Sequence, residues 1–145
     1  MGLDMYLTAR KYISQYYNKA EYKRFKKLFP GREVDFISFE VGYWRKANAI
    51  HNWFVQNCQE GVDECQTTYV DRDDLKKLLK IVKTVLRSRH KAMDLLPPVS
   101  GFFFGSTDID QYYWDDLANT KKILEDALNR KKYGKYHEFY YHASW

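Results

Sequence analysis

Alternation opens the chain. Leu3 to Arg10 exchange apolar and polar positions around Met5, Tyr6 and Leu7, and this two-residue period predicts a strand. From Tyr16 to Phe29 the period changes. Ala20, Arg24 and Leu28 fall on one helical line and Tyr22, Phe25 and Phe29 on the next, with lysines on the other side. Pro30-Gly31 ends that helix, because proline cannot continue it and glycine tolerates the turn. Val34 to Val41 alternates again through Val34, Phe36, Ile37, Phe39 and Val41, predicting a second strand with one buried face. Trp44 to Asn57 reads as a helix whose Ala47, Ile50, Phe54 and Cys58 face the core, with Gly61 closing it. A short strand is expected at Thr67–Val70.

Asp71-Arg72-Asp73-Asp74 opens a third helix. Asp71 suits the cap, acids suit the positive helix end, and Leu75, Leu78, Leu79, Val82, Val85 and Leu86 form the apolar stripe. Leu95-Leu96-Pro97-Pro98 breaks the pattern. Phe102 to Phe104 is wholly apolar, either a buried strand or a loop pinned into the core. Ser106, Thr107 or Asp108 is expected to cap a fourth helix, Ile109 to Lys131, and Tyr136 to His142 reads as a last strand. The order β-α-β-α-(β)-α-α-β, without repeats or linkers, predicts one α+β domain over residues 1–145. A small, largely antiparallel sheet packs with about four helices.

Charge adds polarity to this picture. The net charge is +5, yet Arg10 to Arg32 holds eight cations against one acid, Glu21. Lys19, Lys23, Arg24, Lys26 and Lys27, interleaved with tyrosines and Phe25, have the ingredients of a nucleic-acid surface as well as those of an ordinary basic helix. Thirteen tyrosines favour half-buried contact surfaces. Two cysteines, Cys58 and Cys65, make no disulfide framework, and no apolar run reaches membrane-spanning length. No membrane association, no cofactor and a cytosolic, reducing compartment are expected.

The densest chemistry lies in Gly42 to Phe54. If the helix starts at Trp44, then Trp44, Asn48, His51 and Val55 share one line, and Arg45, Asn48 and Asn52 a neighbouring one. With Tyr43, this strip suits an anionic, planar or hydrogen-bonding ligand, or a polar protein interface. His51 could act as a base or a switch, or sit hydrogen-bonded in the core. Gly105-Ser106-Thr107 before a helix can present N–H groups to an anion, although the segment is not a phosphate loop. Asp108, Asp110, Asp115 and Asp116 could hold a cation, or simply satisfy the helix dipole. Cys58, Cys65 and His51 are seven residues apart, unlike zinc-site spacing, so no metal is expected.

Three blocks carry a family resemblance: Met1-Gly2-Leu3-Asp4-Met5-Tyr6-Leu7; Val41 to Val55 (Val-Gly-Tyr-Trp-Arg-Lys-Ala-Asn-Ala-Ile-His-Asn-Trp-Phe-Val); and Gly101-Phe102-Phe103-Phe104-Gly105-Ser106-Thr107 with Asp116-Leu117 and Thr120. They resemble a widespread family of small phage and prophage proteins that often carries the label phosphoglycerate kinase. A chain of 145 residues without a nucleotide phosphate loop does not fit that two-domain enzyme. The resemblance implies a phage accessory protein in the bacterial host cytoplasm. Such a protein would bind and block a host protein or protein–nucleic-acid complex of anti-phage defence, or would bind or hydrolyse a nucleotide-like ligand or signal.

Overall fold

The computed structural model describes residues 2–101 and 103–145. The first strand, β1 (Asp4–Tyr12), is the spine. It pairs antiparallel with β2 (Phe36–Arg45) on one side and β4 (His137–Ser144) on the other, and β4 carries the short β3 (Thr68–Val70) on its far edge. The sheet order is β2-β1-β4-β3. Alternation in β1 translates directly into sidedness. Leu3, Met5, Leu7 and Ala9 are fully buried, whereas Tyr6, Thr8, Arg10 and Tyr12 stay half-exposed on the opposite face.

The buried face carries α2 (Asn48–Cys58), α3 (Arg72–Arg87) and α5 (Gln111–Ala127), with α1 (Lys19–Leu28) and the short α4 (Ala92–Leu95) at the margins. The result is a small α+β domain with an antiparallel sheet, as the sequence predicts. The stripe of α3 meets the core through Leu75, Leu78, Val82 and Val85, and Asp71 caps it by accepting from the Asp73 N–H. Phe54 of α2 stacks on Tyr141 of β4 with ring centroids 4.1 Å apart.

Several expectations need correcting. The second helix starts at Asn48, not Trp44, because β2 runs on to Arg45. Trp44 pairs with Met5 and Arg45 with Asp4, so their backbone groups belong to the sheet ladder. Lys46 then turns the chain in the left-handed conformation (φ 57°), its N–H donating to Leu3 O. Trp44 and His51 therefore never share a helical line. The buried face of β2 is confined to its second half; Phe36 and Phe39 remain exposed.

The first helix begins at Lys19 rather than Tyr16. Ser14 Oγ accepts from the N–H groups of Tyr16 and Tyr17 in a local turn, and left-handed Asn18 restarts the chain. This helix buries none of its residues. The last long helix is capped by Asp110, whose carboxylate accepts from Tyr113 N–H, and not by Ser106, Thr107 or Asp108. It ends at Ala127, short of the expected Lys131. A 3₁₀ turn at Arg89–Lys91 and α4 stand where the sequence shows only a break; both are too short to impose a period. Of the Phe102–Phe104 segment, Phe102 lies outside the described residues, and Phe103 and Phe104 form a turn, not a strand.

Candidate functional site

Asn48 joins two of the sequence blocks. It opens α2 and is buried. Its Nδ2 donates to Phe104 O and Ser106 O, both at 2.9 Å, and its Oδ1 accepts from Val99 N–H at 3.0 Å. One amide thus uses two donors and an acceptor to hold the loop of residues 99–106 against the helix start. Leu3 N–H donates to Phe103 O, so the start of the sheet is stitched to the same loop. Gly105 adopts φ 83°, and a Cβ there would lie 3.3 Å from Lys46 Cβ. Both the backbone angle and the close approach to Lys46 favour glycine.

This stitching leaves a cleft of about 360 Å³ between the β2–α2 junction, the loop and the start of α5. One lip is basic, with Arg45 and Lys46. The other is acidic, with Asp108, Asp110 and Asp116, and Tyr112 and Pro98 supply apolar surface. Ala49 and Ile50 line the floor. Their N–H groups precede the point at which the helix supplies its own acceptors, α2 has no acidic residue in its first turn, and no side chain caps it. The cleft therefore offers positive charge and N–H donors on one side and carboxylate acceptors on the other. Burial pushes the Asp116 carboxyl up to about 6, with Asp115 and Asp110 adding repulsion. Its charge changes close to neutrality. Among the described residues, no group of three or more His, Cys, Asp or Glu is placed to hold a metal ion.

The residues expected on one strip are distributed over three environments. Arg45, Asn48, Gly105 and Ser106 meet at the cleft. Ser106 Oγ also accepts from Asp108 N–H, shaping the acidic lip. Thr107 is exposed beside them without lining the cleft, and half-buried Asn52 lies further along α2. Trp44 is in the core, its indole N–H donating to Thr120 Oγ1 at 2.8 Å. His51 is also in the core, at 1% exposure. Its Nδ1 lies 2.7 Å from Tyr141 Oη and its Nε2 2.8 Å from Asp63 Oδ2. Phe104 meets the imidazole edge-on. Both ring nitrogens are occupied and neither faces the cleft, so the arrangement fixes a core histidine rather than exposing a base. Tyr43 points to the other face of the sheet, where its hydroxyl donates to Asp4.

That other face carries two transverse rows of rings. Tyr43, Tyr6 and His142 form one, with successive centroids 5.3 and 6.4 Å apart. In the second, the Arg10 guanidinium lies between Phe36 and Tyr140, at 4.7 and 4.0 Å from their centroids, and Tyr69 adjoins Tyr140. These rows cannot be seen in the sequence, because they depend on which strands are neighbours. On α1, Lys26 pairs with Glu33, which also accepts from Tyr22 Oη. Lys19, Lys23, Arg24 and Lys27 are exposed, and Phe25 and Phe29 line a shallow groove with Phe36 and Ile37.

Lys46 and Tyr112 belong to the cleft but do not stand out as candidates in the sequence, whereas Asp116 is one of the four aspartates that the sequence offers as a cation site. Asp116 had a signal: it is an acid directly preceding a core leucine, Leu117, inside a helix. No helix among the described residues is long and apolar enough to cross a membrane. No family model, curated protein or solved structure matches the chain.

Proposed function

We propose that the protein works by binding, not turnover, and that the α2–α5 cleft takes a small nucleotide-like anion. The observation that carries this reading is the pairing of an uncapped helix start, flanked by Arg45 and Lys46, with acidic residues lining the same cleft of about 360 Å³. An anionic group suits the N–H donors and cations. Amino or hydroxyl groups of the same ligand suit Asp108 and Asp116, and a planar ring suits Tyr112 and Pro98. The volume falls within the range of small-molecule sites, about 300–1,000 Å³. His51, the one histidine of the central stretch, is held away from the cleft, which favours sequestration over hydrolysis. In the setting implied by the phage resemblance, the ligand would be a nucleotide signal of host defence.

A thermal-shift screen of the folded protein against mono-, di- and cyclic nucleotides tests this. A nucleotide should raise the melting temperature, remain chemically unchanged after long incubation, and lose its effect in Arg45→Gln. Release of a hydrolysed product would replace binding with catalysis.

A second reading rests on the ring rows of the open sheet face. They favour docking of a macromolecule, in line with a protein that blocks a host protein or protein–nucleic-acid complex. Tyr6→Ala and Tyr140→Ala should abolish capture of such a host component while leaving nucleotide binding in the cleft intact.

A further inference from the structure

A second polar cavity lies at the opposite edge of the molecule, between β3, the start of α3 and the turn that leads into β4. It measures about 410 Å³ and shares no lining residue with the α2–α5 cleft. Cations dominate it: Arg72, Lys76, Arg130 and Lys135 line it, together with His137. Of the acids present, Asp71 caps α3, Asp73 pairs with Lys76, and Glu138 accepts from Tyr140 Oη. Arg72, Arg130 and Lys135 have no ion pair among the described residues.

The side chains at the back are held firmly but incompletely satisfied. Arg72 Nη2 donates to Tyr133 O at 2.6 Å and Gly134 O at 2.8 Å, and the guanidinium lies 5.0 Å from the centroid of Phe139. Its other terminal nitrogen, Nη1, is buried without a hydrogen-bond partner. His137 is fixed through its backbone N–H to the same Gly134 O and by the edge of Tyr133, and its Nδ1 is likewise buried without a partner. Buried polar atoms without a hydrogen-bond partner are rare, and each calls for an explanation. Here two of them belong to residues that line one cavity walled by cations, and burial disfavours the charge of Arg72, with repulsion from Arg130 adding to it.

We infer that this cavity is an oxyanion site, in which Arg72 Nη1 and His137 Nδ1 bind a phosphate-type group and Arg130 and Lys135 close over it. A tetrahedral dianion offers acceptors to several donors at once, suits the planar guanidinium fork, and supplies the negative charge the cluster lacks. The group can arrive as free phosphate or as part of a nucleic-acid strand; the basic helix α1 is joined through Glu21 to Lys11, the register partner of His137.

The experiment follows the four histidine ring signals by NMR while inorganic phosphate is added to the full chain at constant ionic strength. His137 should shift along a saturable curve, with His51, His90 and His142 unmoved. Arg130→Gln should raise the half-saturation concentration about fivefold or more, since a charge-assisted bond is lost while the bonds of Arg72 to the turn are kept. Arg72→Lys, a harsher change, should abolish saturation; Arg130→Gln keeps the test valid if that variant fails to fold. Competition by a hexathymidylate with a 5′-phosphate but not by its 5′-hydroxyl form identifies a terminal phosphate. Competition by both identifies a phosphodiester backbone, and competition by neither a free ion. A shift that is linear, shared by all the histidines, reproduced by chloride, or unchanged in Arg130→Gln overturns the assignment.

Discussion

Replacing Asn48 by alanine removes the clamp that builds the cleft. The side chain makes three bonds, to Phe104 O, Ser106 O and Val99 N–H, from a position only 5% exposed. A neutral hydrogen bond contributes about 0.5–1.5 kcal/mol net, and a buried group left unpaired costs about 1–3 kcal/mol. The loop can relax toward water at its exposed glycines, so the expected loss is about 2–4 kcal/mol and not the full sum. Asn48→Asp sharpens the test. An aspartate keeps the acceptor for Val99 N–H, but its ionised carboxylate faces two carbonyl oxygens with no proton to give. It should be worse than alanine at pH 7 and should recover as pH falls, because protonation restores one donor. Urea denaturation of the three proteins between pH 4 and 8 measures both effects. Limited chymotrypsin cleavage at Phe103 and Phe104 should rise in parallel. An alanine variant within about 0.5 kcal/mol of the parent, the range of ordinary surface substitutions, would refute the clamp. So would an aspartate variant more stable than alanine at pH 7.

Three other outcomes follow from the packing and electrostatics. Asp116 has its carboxyl raised from 3.8 to about 6 chiefly by burial, so ionisation disfavours the folded state. Asp116→Asn should gain about 1–2 kcal/mol at pH 7–8, after allowance for partial exposure, and nothing below about pH 3, where the carboxyl is neutral in both the folded and the unfolded chain; a gain that persists in acid contradicts this. Gly42→Ala would place a Cβ 2.3 Å from Ile123 Cγ2, and should cost about 1–3 kcal/mol, with partial rescue by Ile123→Ala; additive losses would show that the two sites do not touch. Burial also pushes the Cys58 thiol up to about 12, so at pH 8 a disulfide reagent should label it far more slowly than Cys65, the difference vanishing in denaturant; equal rates in the folded protein would contradict its burial.

Period and sidedness made much of this fold legible in the sequence. The alternation of Leu3, Met5 and Leu7, the stripe of α3 and the Ala47–Ile50–Phe54 line all report directly which side chains leave water. The strand–helix junction at Trp44–Lys46 did not show. Tryptophan and arginine are compatible with either state, and the deciding bonds come from β1, some forty residues earlier. The same cause misplaced the functional strip: Trp44, Asn48 and His51 looked like a wet face, but Thr120, the loop carbonyls, Tyr141 and Asp63 supply partners that only the folded chain brings close. Arg45, Asn48 and the Gly105–Ser106 turn do converge, because their blocks meet at one end of α2. The oxyanion cavity left no pattern at all. Arg72 lies far in sequence from Arg130 and His137, and the pairing of β3 with β4 brings the two parts of the chain together.

Under the proposed function, the α2–α5 cleft binds a nucleotide-like anion through Arg45, Lys46 and the start of α2. Calorimetric titration of the folded protein with the nucleotide that most raises its melting temperature tests it most directly, performed in parallel on Arg45→Gln. The account predicts one saturable site on the parent, and affinity at least tenfold weaker in the variant, the scale of one lost charge-assisted contact of about 1.4 kcal/mol or more. Saturable binding that Arg45→Gln leaves unchanged, or no binding by any nucleotide, would contradict it.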